Sequence, residues 1–245
     1  MKIAVAGKGG AGKTTVAGTL ARAWAQGGHR VLALDADANP MLGIALGLGP
    51  EGTEELISAR QALDAGELEH ESTAEGVVET FGADAPDDVR VVVVNRIENY
   101  GSGCQCCGLN PESLVQDLDG DDRIILCDLE AGIGTVSRIQ EGQLDIVLVV
   151  CEPSAKSIDV ARRAVRVATN RARVMVLANR ITSSEDLEAI RSAVGDVEVL
   201  ALPEDAAITR ADQEGLAPID VDPDAPAVRA LIEFADRLAG LAVPA

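Results

Sequence analysis

Near the start of the chain, Gly7-Lys8-Gly9-Gly10-Ala11-Gly12-Lys13-Thr14 satisfies the spacing G-x-x-x-x-G-K-[ST], with an apolar stretch before it and an amphipathic pattern after it. In that context Gly9, Gly10, Ala11 and Gly12 let successive backbone N–H groups wrap an anion. Lys13 neutralises charge on the β- and γ-phosphates, and the Thr14 hydroxyl ligates Mg2+. Thr15 continues the first helical turn, whose N-terminus adds partial positive charge. These residues predict a site for Mg2+ and a nucleoside triphosphate.

Other strand ends supply the rest of such a site. Ile124-Ile125-Leu126-Cys127-Asp128 is an apolar run closing on a carboxylate, the Walker B form, in which Asp128 holds Mg2+ through water. Gly132, in Glu130-Ala131-Gly132, is placed to offer its N–H to the γ-phosphate. Asn179-Arg180-Ile181-Thr182 stands where a guanine site would carry Asn-Lys-x-Asp. Thr182 lacks the carboxylate that would accept guanine's two N–H donors, so adenine is favoured, with the Asn179 amide pairing to its edge, and ATP is the expected nucleotide.

Of the five cysteines, Cys127 and Cys151 lie in apolar runs and read as core residues. Cys104, Cys106 and Cys107 instead fall in the glycine-bounded loop Gly103-Cys104-Gln105-Cys106-Cys107-Gly108. Clustered thiols in a reducing compartment point to a metal site. Cys104 and Cys106 fill half of a tetrahedral thiolate or iron-sulfur site, and a twofold dimer would supply the other half. Ni2+, Zn2+ and an iron-sulfur cluster all suit such ligands. Cys107 is a spare ligand or a bystander.

The elements that must position these groups follow from hydrophobic patterning. The 245 residues are 47% hydrophobic but only 2% aromatic, so the core is built from Val, Leu, Ile and Ala. Short β-branched runs at residues 3–6, 31–34, 91–94, 124–127, 146–150 and 174–177 alternate with helical patterns at 14–26, 110–118, 158–171, 184–194 and 225–241. This predicts one α/β domain over residues 1–245: a doubly wound, mostly parallel β-sheet flanked by helices. Residues 51–88 are acidic and weakly patterned, with Arg60 their one Lys or Arg, and read as a solvated helical insertion without chemistry. A net charge of −19 opposes nucleic acid and anionic membrane as partners. No apolar run approaches the ~20 residues of a membrane span. Because the phosphate motif begins so close to Met1, a cleaved signal would destroy it, and a cytoplasmic location with reduced thiols is expected.

Lys8 adds a further signal, since Lys8-Gly9-Gly10-Ala11-Gly12-Lys13 resembles the deviant Walker A ATPases. That family contains nitrogenase iron protein, MinD and ParA and lies in the SIMIBI class of P-loop NTPases. The resemblance implies a catalytic set of Lys8, Lys13 and Asp37, in which Lys8 reaches across a dimer to the partner's nucleotide. Asp37, the second aspartate of Leu34-Asp35-Ala36-Asp37, would orient the attacking water. The loop Leu202-Pro203-Glu204-Asp205 is similar to the one whose backbone contacts the base, which brings in Pro203, Glu204 and Asp205.

Within this family the chain looks most like the CO dehydrogenase nickel-insertion accessory ATPases (CooC-like). Asp35-Ala36-Asp37-Ala38-Asn39 leading to Ala45-Leu46-Gly47, the Cys-x-Cys, and Asp128-Leu129-Glu130-Ala131-Gly132-Ile133 carry that likeness over nearly the whole chain. It implies an ATP-driven metallochaperone: a nucleotide-dependent homodimer that binds metal at an intersubunit cysteine site and serves a client metalloenzyme. Two other functions belong to the same family. The acidic charge and the lack of a basic terminal helix count against a ParA/MinD-type partition or positioning ATPase. An iron-sulfur electron-transfer ATPase would want a ligand cysteine where this chain has Thr135-Val136-Ser137.

Overall fold

The computed structural model describes residues 1–65, 67, 69–94, 111–118, 122–138 and 140–241. Eight strands form one sheet: β1 Lys2–Gly7, β2 Val31–Ala36, β3 Ala83–Ala85, β4 Val89–Val93, β5 Ile124–Leu129, β6 Ile146–Cys151, β7 Arg173–Ile181 and β8 Glu198–Pro203. Their order is β3-β4-β2-β5-β1-β6-β7-β8, with all pairings parallel except the β3–β4 edge. Strands buried on both faces read as continuous apolar runs, which is why β1, β2, β5 and β6 were the most legible elements.

Alternate residues of each strand feed different layers. Ile3 and Val5 pack with Val16, Leu20 and Trp24 of α1 (Lys13–Gln26) and with Leu231, Phe234 and Leu238 of α11 (Pro226–Leu241). Ala4 and Ala6 face the layer holding Phe81 of α4 (Ala74–Phe81), Leu114 of α5 (Pro111–Asp117), Ala161 of α7 (Ala155–Ala168) and Ile190 of α8 (Ser184–Val194). The Trp24 indole N–H donates to Ala235 O at 2.8 Å and ties α1 to α11.

Residues 51–88 depart from expectation. The stretch forms most of α3 (Gly49–Ala65), all of α4, and β3, and it covers the sheet rather than standing off in solvent. Leu56, Leu63, Val77, Val78 and Phe81 are buried. Arg60 is buried too, its guanidinium donating to Asp64 and to Val94 O at 3.0 Å, just past the end of β4. The acidic composition hid a stripe of apolar residues whose spacing is broken by the turn between the two helices. α7 also starts three residues earlier than its apolar pattern, because Ser154 caps it by accepting from the Ser157 N–H.

Candidate active site

Parallel strands deliver their C-terminal ends to one edge of the sheet, and the groups expected to do chemistry collect there. β1 runs through residues 8–12 directly into α1, whose N-cap is Gly12 in the left-handed conformation (φ 96°) with no side-chain cap. The first turn of α1 carries no acidic residue, so its N–H groups are left for an anion.

Three successive loop carbonyls are held from outside by side chains. Lys8 Nζ donates to Gly9 O (3.0 Å), Arg180 Nη1 to Gly10 O (3.2 Å) and Asn179 Nδ2 to Ala11 O (2.8 Å). With these carbonyls occupied, the loop curls over the N-terminus of α1, and its Ala11 N–H is committed within the turn, donating to Lys8 O at 3.1 Å.

The loop borders a cavity of about 610 Å³, the size of a small-molecule site. Gly9, Gly10, Gly12, Lys13, Thr14 and Thr15 line one end. Asp37 faces it from the end of β2, Asn179 and Arg180 from β7, and Pro203, Glu204 and Asp205 from the end of β8. The Asp205 side chain is committed elsewhere: it caps α9 (Ala206–Glu214) through Ala207 N and accepts Ala227 N of α11. The carboxylate therefore fixes the loop that lines this end of the cavity.

Asp35 and Asp128 are side by side on neighbouring strands and both buried. Burial, then the charge of Asp128, pushes Asp35 up to about 8, against the N–H groups of Leu42 and Asp37 that donate to it. Burial likewise pushes Asp128 up to about 6, against the Thr14 hydroxyl and the charge of Lys13. The Thr14 hydroxyl donates to Asp128 Oδ2 at 2.6 Å, while Asp128 Oδ1 is buried with no hydrogen-bond partner. An orphaned anionic oxygen beside a hydroxyl, at the mouth of an N–H-lined loop, is a hard-donor environment that fits Mg2+.

Three expected roles meet a different arrangement, the first being Ala11, whose N–H is held by Lys8 O and which does not line the cavity. The Gly132 N–H donates to Gly7 O at 2.9 Å, closing an antiparallel bridge, and is not directed at the cavity. It becomes available to a phosphate only when that bridge opens. Cys104, Cys106 and Cys107 lie outside the described residues, and so does the metal site assigned to Cys104 and Cys106. Cys127 and Cys151 are buried core residues as expected, and burial pushes the Cys151 thiol up to about 11.

Glu152 was missed. It follows β6 at the same sheet edge, where Oε1 accepts from Lys8 (3.2 Å) and from the Ser154 hydroxyl (3.2 Å), and Oε2 accepts from Arg180 (3.2 Å). The available signal was a carboxylate directly after an apolar strand, the same signal that singled out Asp128.

Comparison with known proteins agrees with this geometry. The family described as the CobQ/CobB/MinD/ParA nucleotide binding domain matches residues 2–219. The carbon monoxide dehydrogenase accessory protein CooC of Rhodospirillum rubrum is 32% identical over 248 residues, covering 91% of each chain. An uncharacterized ATP-binding protein of Methanocaldococcus jannaschii is 29% identical, covering 91% of this chain and 92% of that one. Among solved structures, the cell division ATPase MinD of Pyrococcus furiosus superposes with a TM-score of 0.71 at 23% identity, covering 98% of both chains. A ParA family ATPase from Chlorobium tepidum gives 0.69 at 19%, covering 97% of this chain and 98% of that one. The phosphate loop, its Mg2+-ready carboxylate and this match over most of the chain make the protein an ATPase, a member of the CobQ/CobB/MinD/ParA family of nucleotide-binding domains.

Proposed function

We propose that this ATPase is a metallochaperone: it binds a metal ion or cluster between two copies of the chain at Cys104 and Cys106, and ATP binding and hydrolysis drive delivery to a client enzyme by nickel insertion of the CO dehydrogenase kind. The observation that carries the reading is the 32% identity to CooC over 91% of both chains, in a sequence that also keeps a Cys-x-Cys. The described flanks of that segment support it. Val94 ends just past β4, at the sheet edge that carries the phosphate loop, and its N–H donates to Asp35 O (2.9 Å). The root of the cysteine segment is therefore hydrogen-bonded to the strand that leads to Asp37.

In this reading bound Mg2+, held by Thr14 and by Asp128 through water, supplies charge neutralisation for phosphoryl transfer. The chain's own groups do the rest. The loop N–H groups and Lys13 hold the phosphates in place. Asp37, whose Oδ1 is already oriented by the Asn39 N–H (3.0 Å), accepts a hydrogen bond from the attacking water and aims it in line. Lys8 reaches the nucleotide of the second copy and stabilises charge only in the closed dimer. Asn179, with one amide hydrogen on Ala11 O, keeps its oxygen to accept from adenine.

Metal analysis with light scattering on anaerobically purified protein tests the proposal. One ion per dimer is expected, lost in Cys104→Ser and in Cys106→Ser and kept in Cys127→Ser. Tight binding at one ion per monomer, or binding that survives both loop serines together, overturns it, and a brown iron-sulfur absorption band would make the cargo a cluster instead of nickel or zinc.

A further inference from the structure

Lys8 is not free to reach another subunit in this conformation. Its ammonium is held within its own chain by Gly9 O and by Glu152 Oε1. Leaving Gly9 O costs little, because a loop carbonyl near the surface regains water. Glu152 is different: its side chain is only 17% exposed, and a carboxylate deprived of its cation in a half-buried position is costly.

Arg180 is placed to absorb that cost. Its guanidinium lies 3.2 Å from the other carboxylate oxygen, Oε2, and 3.2 Å from Gly10 O. The backbone holds it there. Arg180 sits at φ 57°, in the left-handed region that a long side chain rarely adopts, where β7 shifts register against β8 between Ala178 and Ile181. The side chain is 54% exposed, so little packing explains the strained backbone. What the conformation achieves is delivery of one cation to both the phosphate loop and Glu152.

We infer that Arg180 is a positioning residue for Lys8, acting through Glu152: it keeps the Glu152 carboxylate paired once Lys8 leaves, and so makes the transfer of Lys8 to a second copy of this chain less costly. The inference rests on the reading that Lys8 acts across a dimer. Without Arg180, Glu152 would have Lys8 as its one cation among the described residues and would hold it more tightly in its own subunit. The Ser154 hydroxyl, the remaining side-chain donor to Glu152 among the described residues, carries no charge to replace it.

The test is the dimer dissociation constant of the full chain, by sedimentation velocity with Mg2+ and a saturating non-hydrolysable ATP analogue, so that changes in nucleotide affinity do not enter. Arg180→Met should weaken the dimer by about four- to 25-fold, two- to fivefold at each of the two symmetric sites, the range of a partly exposed ion pair. Arg180→Lys should recover part of the loss, and raising salt should shrink it. In a Glu152→Gln background, Arg180→Met should have no effect, whereas a residue that merely shapes the phosphate loop through Gly10 would weaken the dimer equally in both backgrounds. Equal weakening, or no change on Arg180→Met, overturns the inference. Lys8→Ala separates it from its premise: a dimer as tight as wild type, or no wild-type dimer at all, defeats the trans lysine and the inference together. Weakening by Lys8→Ala without coupling between Arg180 and Glu152 defeats the inference alone. Melting temperatures near wild type verify that each variant is folded.

Discussion

Replacing Gly12 by alanine should expose how the phosphate loop is braced. At φ 96° and ψ 22° the residue lies in the left-handed region, which costs about 1–2 kcal/mol for a residue with a Cβ. The new Cβ would also lie 2.5 Å from Asn179 Nδ2, closer than any real contact, so the Asn179 amide must withdraw and lose its hydrogen bond to Ala11 O, worth about 1 kcal/mol. Gly12→Ala should therefore destabilise by about 2–3 kcal/mol. Asn179→Ala removes the same hydrogen bond without backbone strain, for about 1–2 kcal/mol. The double variant cannot lose that bond twice, so it should resemble Gly12→Ala alone and fall short of additivity by about 1 kcal/mol. Equilibrium urea unfolding without nucleotide measures this, followed by the fluorescence of the single tryptophan, Trp24, which is buried against α11. Strict additivity would show that Asn179 does not brace the loop and would refute the geometry on which its role rests.

Other perturbations are read more simply. ATP should be hydrolysed in preference to GTP, because Thr182 offers guanine no carboxylate; equal turnover of the two would contradict the base assignment. Asp37→Asn keeps an acceptor for the Asn39 N–H but orients water poorly, so nucleotide binding should persist while hydrolysis falls by about 100-fold or more; near wild-type turnover would remove Asp37 from the mechanism. Asp35 and Asp128 both titrate above the ordinary 3.8 in the folded chain, so the native state binds their protons more tightly than the unfolded state does. Stability without nucleotide should then fall as pH rises from about 4 through 6 toward 8 and level off above, at up to ~1.4 kcal/mol per pH unit for each proton lost. Melting temperatures across that range should fall less steeply in Asp35→Asn, and an identical slope would place the titration elsewhere.

The parts of the site legible in the sequence were those fixed by chain-local rules. The phosphate loop, Asp128 and Asn179 each stand at the end of an apolar run, and a parallel sheet sends such strand ends to a common edge. Contacts between those ends are set by strand order, which no local pattern encodes. Glu152 and Asp128 carry equal signals in the chain, yet only the placement of β6 between β1 and β7 brings Glu152 to both Lys8 and Arg180. The same limit hid α3 and α4. Their buried faces are sparse, and Arg60, which reads as a surface charge, is satisfied only by Asp64 and a carbonyl at the end of β4. β8 was missed as a strand because Glu198-Val199-Leu200-Ala201 is short and lies at the sheet edge, where its residues are only partly buried.

The costs in this fold are concentrated at one edge of the sheet. β2 and β5 are parallel neighbours in direct register, so Asp35 and Asp128, each near the end of its strand, come to lie together, both buried from solvent. Asp128 Oδ1 has no partner, Gly132 holds φ 100° to close its bridge to Gly7, and Arg180 accepts a left-handed backbone. Each of these departs from what local propensity favours, and they gather at the sheet edge where Arg180 and Thr14, the hydroxyl partner of Asp128, line the cavity. A cation set against Asp128 would satisfy the orphan oxygen and offset the burial of its charge, and phosphates set against the loop would meet the first turn of α1, whose N-cap Gly12 offers no side-chain acceptor. Mg2+ and nucleotide should therefore stabilise the fold cooperatively, by more together than the sum of what each produces alone. Thermal shifts measured with each alone and with both together decide this, and simple additivity of the two shifts would mean that the buried carboxylate pair and the phosphate loop act independently.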